Sequence, residues 1–136
     1  MTGYAGPIEK LTGKNKYFRQ VLFTGKYTQL VVMSLLPGEE IGNEVHPKVD
    51  QFFRIEEGKA KFVLLNGEEK HKVKAGDAVI IPAGTYHNVI NTSKKHLLKL
   101  YTLYSPPNHP DGTIHKTKAE AEAAEAVKAP KARPHM

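Results

Sequence analysis

Histidine and carboxylate side chains lie in two segments whose residue types and spacing suit metal chemistry. Glu44 and His46 are two residues apart, and in an extended strand this spacing points both side chains to one face. His87 lies in a second segment, after a turn that contains Pro82 and Gly84. Imidazole nitrogens and carboxylate oxygens are ligands for divalent first-row metals. If the strands close around one interior, His87 faces the same space as His46.

The elements that must position these residues have the pattern of short strands. Between residues 16 and 104, β-branched and aromatic runs alternate with Gly, Pro and Asn, which predicts an antiparallel sandwich or barrel. The Asn66-Gly67 pair suits a two-residue type I′ turn. The apolar run 79–81 lacks alternation, which indicates a strand covered on both faces. The predicted strands are 18–24, 29–36, 44–46, 51–57, 59–65, 68–73, 78–81, 87–91 and 97–104.

Composition excludes several classes of function. The chain has 136 residues and no cysteine, so disulfides, a thiolate nucleophile and cysteine-ligated metal centres are excluded. The longest apolar stretch, 30–36, is too short to cross a membrane, and residues 1–16 lack the apolar segment of a secretory signal. We therefore expect a cytoplasmic protein with no membrane partner.

The basic residues are scattered, although the formal net charge is +6. Lys70, Lys72 and Lys74 form the densest cluster, and their period-two spacing puts them on one strand face. We interpret this cluster as a solvated face and expect no nucleic-acid partner. An acidic ligand or nucleic acid is the alternative interpretation.

The pattern predicts one folded unit with a short helical extension. Residues 1–116 are predicted to form a barrel with an N-terminal arm and a C-terminal loop. Residues 117–136 are predicted to form a short Ala/Glu-rich helix and a flexible tail. Thr117 and Glu120 have the spacing of a capping box, which predicts a helix over 117–127. Residues 129–136 contain two prolines and are predicted to be the tail.

The second segment resembles the second motif of the cupin superfamily. That motif is a glycine, five residues, proline, any residue, glycine, two residues, histidine, three residues and asparagine. The matching positions are Gly76, Pro82, Gly84, His87 and Asn91. The resemblance covers about residues 18–104 and implies an all-β fold, a single antiparallel β-barrel of the double-stranded β-helix or jelly-roll type.

The first segment resembles the first cupin motif but departs from it at two positions. Gly38 and Gly58 match its terminal glycines, and His46 matches its second histidine. Glu44 stands where the motif has its first histidine, and Gln51 stands where it has a glutamate. The resemblance therefore implies one divalent metal ion, Mn, Fe, Ni or Zn, bound by Glu44, His46, Gln51 and His87.

The resemblance also implies a class of activity. Gln51 has no basic lone pair, so dioxygenase chemistry that uses the motif glutamate as a base is disfavoured. We expect a metal-dependent isomerase or lyase acting on a small polar metabolite, a sugar or an oxo acid, with Glu44 moving a proton. The alternatives are a metal-free acid–base catalyst and a non-catalytic module that binds a small ligand or a metal. Small single-domain cupins are commonly homodimers, so a homodimer is expected.

The sequence pattern does not decide which aromatic residues line the pocket. Aromatic rings are common in small-molecule sites, but ordinary core packing explains them equally well. Tyr101 and Tyr104 have opposite parity, so only one of them points inward. His109 and His115, in the Pro-rich segment after the last predicted strand, are candidates to close over the barrel mouth. The aromatic candidates are Phe53, Phe62, Tyr86, Tyr101 and Tyr104.

Overall fold

Nine antiparallel strands form two sheets within residues 2–132, the part of the chain that the computed structural model describes. The smaller sheet has the order β5 (Glu69–Lys74), β4 (Lys59–Leu64) and β7 (His87–Asn91). The larger sheet has the order β6 (Ala78–Ile81), β3 (Asp50–Glu57), β8 (Leu98–Ser105), β2 (Gln29–Leu35), β1 (Arg19–Thr24) and β9 (Ile114–His115).

The core lies between the two sheets. Phe53 of β3 and Phe62 of β4 are both fully buried, and their ring centroids are 5.0 Å apart in an edge-to-face arrangement. Alternate residues of β3 and β4 point into this space, as period-two patterning requires. Burying each large apolar side chain contributes roughly 1.5–3 kcal/mol, so this layer holds the sheets together.

Two helices pack on the sheets. Helix α1 (Ile8–Lys14) contacts β2, β3 and β8 of the larger sheet. Helix α2 (Lys118–Ala132) begins with half of the expected capping box, because the Glu120 amide donates to the Thr117 hydroxyl. The Glu120 carboxylate accepts from the amide of Lys116, one residue before the cap. Ala121 is buried in the core cluster, which fixes α2 against the sheets. Neither helix, as far as it is described, has the length and apolar content that a membrane crossing requires.

The predicted fold class is confirmed, with two refinements at the loops. The two sheets face each other rather than closing into one continuous barrel, and two isolated bridges, Glu40 with Ile90 and Glu44 with His87, add to the smaller sheet's edge. The predicted two-residue turn is instead a four-residue loop, 65–68, because Leu64 pairs with Glu69 and because Leu65, Asn66 and Gly67 all have positive φ.

Three other local predictions were wrong. Residues 44–46 do not form a strand, because only Glu44 pairs and Pro47 lacks the amide needed to continue. Ile80 is 66% exposed whereas Ile81 is buried, so β6 is covered on one face only. Helix α2 continues past Val127 to Ala132. The rest of the predicted tail, 133–136, lies outside the described residues.

Asn91 is a structural residue of β7, and its replacement tests that role. Its buried amide donates to the carbonyls of Leu35, Leu36 and His96, and its oxygen accepts the Ser93 amide. We expect Asn91→Ala to lower the free energy of unfolding by about 3 kcal/mol, because several buried backbone groups lose their partner. Urea unfolding measures this change.

The matched control for Asn91→Ala is Asn43→Ala. Asn43 is exposed and its amide makes one hydrogen bond, to Asn66. We expect the control to change the free energy of unfolding by less than about 0.5 kcal/mol. Equal losses in the two variants would contradict the structural role of Asn91.

Candidate metal centre

A backbone bridge brings the two sequence segments together. The Glu44 amide donates to the His87 carbonyl, and the His87 amide donates to the Glu44 carbonyl, both at 2.9 Å. This bridge joins the loop between β2 and β3 to the first residue of β7. The side chains of Glu44 and His87 therefore start from adjacent backbone positions.

Three predicted ligands form one cluster. The Oε1 atom of Glu44 lies 3.2 Å from His46 Nε2 and 3.6 Å from His87 Nε2. One ligating atom from each of the three residues lies within 4.8 Å of the others. The spacing argument for Glu44 and His46 is therefore correct in its consequence, although their segment is a loop. That these residues bind a metal stays a prediction.

The ring of His87 is held in the orientation that a metal ligand requires. Its Nδ1 atom lies 2.9 Å from the Thr85 carbonyl, and a carbonyl only accepts, so Nδ1 carries the proton. The lone pair is then on Nε2, which is buried and has no hydrogen-bond partner among the described residues. A buried acceptor without a partner is costly unless a ligand occupies the site.

Gln51 presents a second buried atom without a partner. It lies on β3 and is 2% exposed, and its Nε2 donates to the Thr102 hydroxyl at 2.9 Å. This bond fixes the amide, and its Oε1 has no hydrogen-bond partner within the described part of the chain. The neighbouring Asp50 is exposed, as its opposite parity predicts. An amide oxygen with free lone pairs is a suitable ligand for a hard or borderline cation.

Electrostatics keep Glu44 ionised. Burial raises the pKa of Glu44, but the hydrogen bond with His46 and the electrostatic attraction of the His46 and His87 imidazoles lower it further, to about 2. A carboxylate with so low a pKa is a good ligand and a weak proton acceptor.

A cavity of about 540 Å³ opens beside the cluster and reaches under helix α2. Its lining comes from β1, from the loop that carries Glu44 and His46, from the Pro-rich loop and from α2. The lining residues that bear on chemistry are Arg19, Glu44, His46, Asn108, His109 and Lys118.

A tyrosine and a histidine extend the polar surface from the cluster into the cavity. The ring of Tyr104 packs edge-on against His46 at 5.7 Å, and its hydroxyl lies 3.3 Å from His109 Nε2. Burial raises the pKa of Tyr104 to about 12. Burial, with the nearby charge of Arg19, lowers the pKa of His109 to about 3. Both groups are therefore neutral near pH 7.

The other pocket candidates divide as parity requires. Tyr104 points inward and Tyr101 lies on the opposite face of β8. Phe53 and Phe62 are core residues, whereas Tyr86 is 44% exposed. His109 lines the cavity and His115 does not; His115 instead contacts Arg19.

Sequence reasoning missed Arg19. This residue is 6% exposed and lines the cavity. It has the same parity as Val21, a core residue of β1, so the alternation already placed a charge on the inward face. A charged residue on a core face is the signal that identifies it.

The two sheets and the inward-facing cluster define a jelly-roll protein with a candidate metal centre. The family model of the Cupin domain matches residues 31–104. The chain belongs to the cupin family.

Comparisons with other proteins agree with this assignment. The chain is 50% identical over 123 residues to the uncharacterized protein YrkC of Bacillus subtilis (strain 168), a match that covers 87% of this chain and 65% of that relative. The chain thus spans just under two thirds of that relative's length. The crystal structure of BH2720 from Bacillus halodurans is 45% identical, with a TM-score of 0.86, and the match covers 88% of this chain and 93% of that chain.

A more distant structure carries a functional name. The structure of a predicted oxalate decarboxylase from Thermotoga maritima is 26% identical, with a TM-score of 0.54. The match covers 60% of this chain and 69% of that chain.

The low pKa of Glu44 predicts how acid destabilises the metal-free protein. The folded state keeps Glu44 ionised between pH 4.5 and about 2, while the unfolded chain takes up a proton. The stabilisation is present above pH 4.5 and is lost as the pH falls through the folded-state pKa. We expect Glu44→Gln to remove about 2 kcal/mol of this acid-dependent stability, measured by urea unfolding of chelator-treated protein at pH 5 and pH 2.5.

Glu69→Gln is the matched control, because Glu69 contacts a histidine two residues away on an exposed strand. Surface ion pairs contribute little, so this control is expected to follow the parent protein within about 0.5 kcal/mol. An identical pH dependence in the parent and in Glu44→Gln would contradict the electrostatic description of the cluster.

Proposed function

We propose that this cupin is a metal-dependent enzyme that transfers a proton in a small polar metabolite. The observation that carries the proposal is the buried acceptor without a partner, His87 Nε2, which lies in one cluster with Glu44 and His46. A second such acceptor, Gln51 Oε1, is on β3 opposite Tyr104, whose ring packs against His46. A divalent cation would satisfy both acceptors and the carboxylate at once.

The donor set fits the proposed ion. Two imidazole nitrogens, a carboxylate oxygen and an amide oxygen suit Mn, Fe, Ni or Zn. Thr85 orients His87, whose Nε2 lies 3.6 Å from the Glu44 carboxylate, and Thr102 holds the amide of Gln51. When bound, such an ion polarises a substrate carbonyl or hydroxyl.

His109 is a second candidate for moving the proton, because it is neutral and lines the cavity, although its pKa of about 3 makes it a weak base in the ligand-free site. Glu44 was predicted to double as ligand and base, but its pKa of about 2 favours a ligand role alone. His109 is neutral, lines the cavity and has the Tyr104 hydroxyl 3.3 Å behind it. In the proposed enzyme, His109 accepts a proton from the substrate, and Tyr104 holds the imidazole in position.

The reaction class follows from which groups can act as bases. Gln51 cannot accept a proton, whereas His109 can, which favours isomerase or lyase chemistry over the dioxygenase route through the motif glutamate. The predicted oxalate decarboxylase among the similar structures supports a small acid rather than a sugar as the substrate of this chain. The alternative function is a cupin module that binds a small ligand or metal without turnover.

Elemental analysis of protein purified without affinity nickel tests the proposed metal site. We expect about one divalent ion per chain in the parent. We expect less than a tenth of that in His46→Ala/His87→Ala, because two of the four ligands are lost. In Gln51→Ala, the metal affinity is expected to fall about tenfold or more.

The control is His71→Ala/His96→Ala, which removes two histidines that lie outside the cluster. Its metal content should equal that of the parent. If the parent protein contains no metal and takes up no Mn, Fe, Ni or Zn, the proposal is contradicted.

Exchange with deuterated water tests proton transfer before the substrate is known. Metal-loaded protein is incubated with a panel of small 2-oxo acids, 2-hydroxy acids and sugars, and proton NMR follows the hydrogen on the carbon next to the carbonyl or hydroxyl. We expect exchange or product formation with at least one compound, slowed about a hundredfold or more in His109→Gln. Ligand binding without exchange or product would favour the non-catalytic module.

A further inference from the structure

Arg19 is a buried cation inside the cavity. The side chain comes from the first residue of β1 and points inward with Val21. Arg19 is 6% exposed, and burying a guanidinium is costly unless it is paired or hydrogen-bonded.

The protein compensates this charge only in part: the guanidinium lies over the Phe18 ring, 5.3 Å from its centroid, and interacts with the Tyr104 hydroxyl. Within the described residues, no carboxylate oxygen lies within 4 Å of the Arg19 guanidinium. Its Nη1 donates to His115 Nδ1 at 3.2 Å, which satisfies one donor with a neutral partner. Its Nε is buried and has no partner among these residues. Glu122 and Glu125 line the cavity from α2, but both are exposed.

The cavity places Arg19 beside the other reactive groups. His109, Glu44 and His46 line the same cavity of about 540 Å³, and the charge of Arg19 acts on both Tyr104 and His109. A molecule that contacts the cluster therefore has a second anchoring point on the guanidinium. Guanidinium groups bind carboxylates through charge-assisted, often bidentate, hydrogen bonds.

We propose that Arg19 is the carboxylate-binding residue of this cavity, so the metabolite is a small carboxylic acid rather than a neutral sugar. This inference rests on the proposed function, because it names the substrate class of the same site. The carboxylate binds the Arg19 guanidinium, and the rest of the molecule extends towards His109 and the Glu44–His46–His87 cluster.

Matched acids and amides test the inference on metal-free protein, where no ion contributes to binding. The probes are pyruvate with pyruvamide and glycolate with glycolamide, and titration calorimetry and ligand-observed NMR give the dissociation constants. We expect at least one acid to bind about tenfold or more tightly than its amide, because a charge-assisted hydrogen bond is replaced by a neutral one. No preference for either acid in the parent would overturn the inference.

Three variants assign the preference to this residue. Arg19→Gln should reduce the preference for the acid to less than about twofold, and Arg19→Lys, which keeps the charge but not the fork geometry, should retain part of it. Arg54→Gln is the matched control, because Arg54 is a strand arginine that does not line the cavity. A full preference in Arg19→Gln would overturn the inference.

Two readouts keep the test decisive. If Arg19→Gln fails to fold, the ¹⁵N resonance of the Arg19 Nε–H in the parent is expected to shift with the acid and not with the amide; no shift would overturn the inference. Metal content is measured on the same preparations. Metal-free protein that never takes up an ion but keeps an Arg19-dependent preference refutes the proposed function and supports the inference. Protein that binds a metal ion but shows no preference for the acid supports the proposed function and refutes the inference.

Discussion

The paired backbone hydrogen bonds between Glu44 and His87 are the constraint on which the candidate site depends. They attach a loop, which has no strand ladder of its own, to the first residue of β7. Because the bridge fixes two Cα positions, the Glu44 carboxylate and the His87 imidazole meet without a long side chain having to reach across the core. His46 joins them from two residues further along the same loop, at 3.2 Å from the carboxylate.

The surroundings of the cluster hold its ligating atoms ready at a cost to stability. Thr85 fixes His87 and Thr102 fixes Gln51, and each bond leaves one buried acceptor without a partner. Unsatisfied buried acceptors cost roughly 1–3 kcal/mol each, so a fold selected only for stability would replace them. The buried Nε–H donor of Arg19 is a third group without a partner among the described residues, and it lines the cavity beside the cluster. The proposed metal site and the proposed carboxylate site would account for all three.

Local patterns in the sequence determined the fold and the identity of the cluster. Period-two alternation placed Gln51 inward and Asp50 outward, and it separated Tyr104 from Tyr101. The two motifs identified the jelly roll and brought Glu44, His46 and His87 into consideration together. Alternation describes each strand by itself, so it could not show that β6 lies at a sheet edge and exposes Ile80.

The sequence patterns did not predict the features that depend on contacts between residues far apart in the chain. The side-chain oxygen of Gln29 accepts hydrogen bonds from the backbone amides of Asn108 and His109, which hold the Pro-rich loop over the cavity. No local pattern predicts contacts between residues some 80 positions apart. Helix α2 lies beside the cavity because Ala121 is buried, although its alanine-rich sequence gives little indication of where it packs. Arg19 was visible in the alternation, but its role becomes evident only when the cavity is formed.

X-ray absorption spectroscopy of the metal-loaded protein tests the central claim most directly, because it counts the imidazoles bound to the ion. The account predicts two imidazole ligands, with the remaining positions filled by oxygen at about 2.0–2.2 Å for a zinc ion. The multiple-scattering signal of the imidazoles should disappear in His46→Ala/His87→Ala. A spectrum with three imidazoles, or with none, would contradict the assignment of Glu44, His46, Gln51 and His87 as the metal centre.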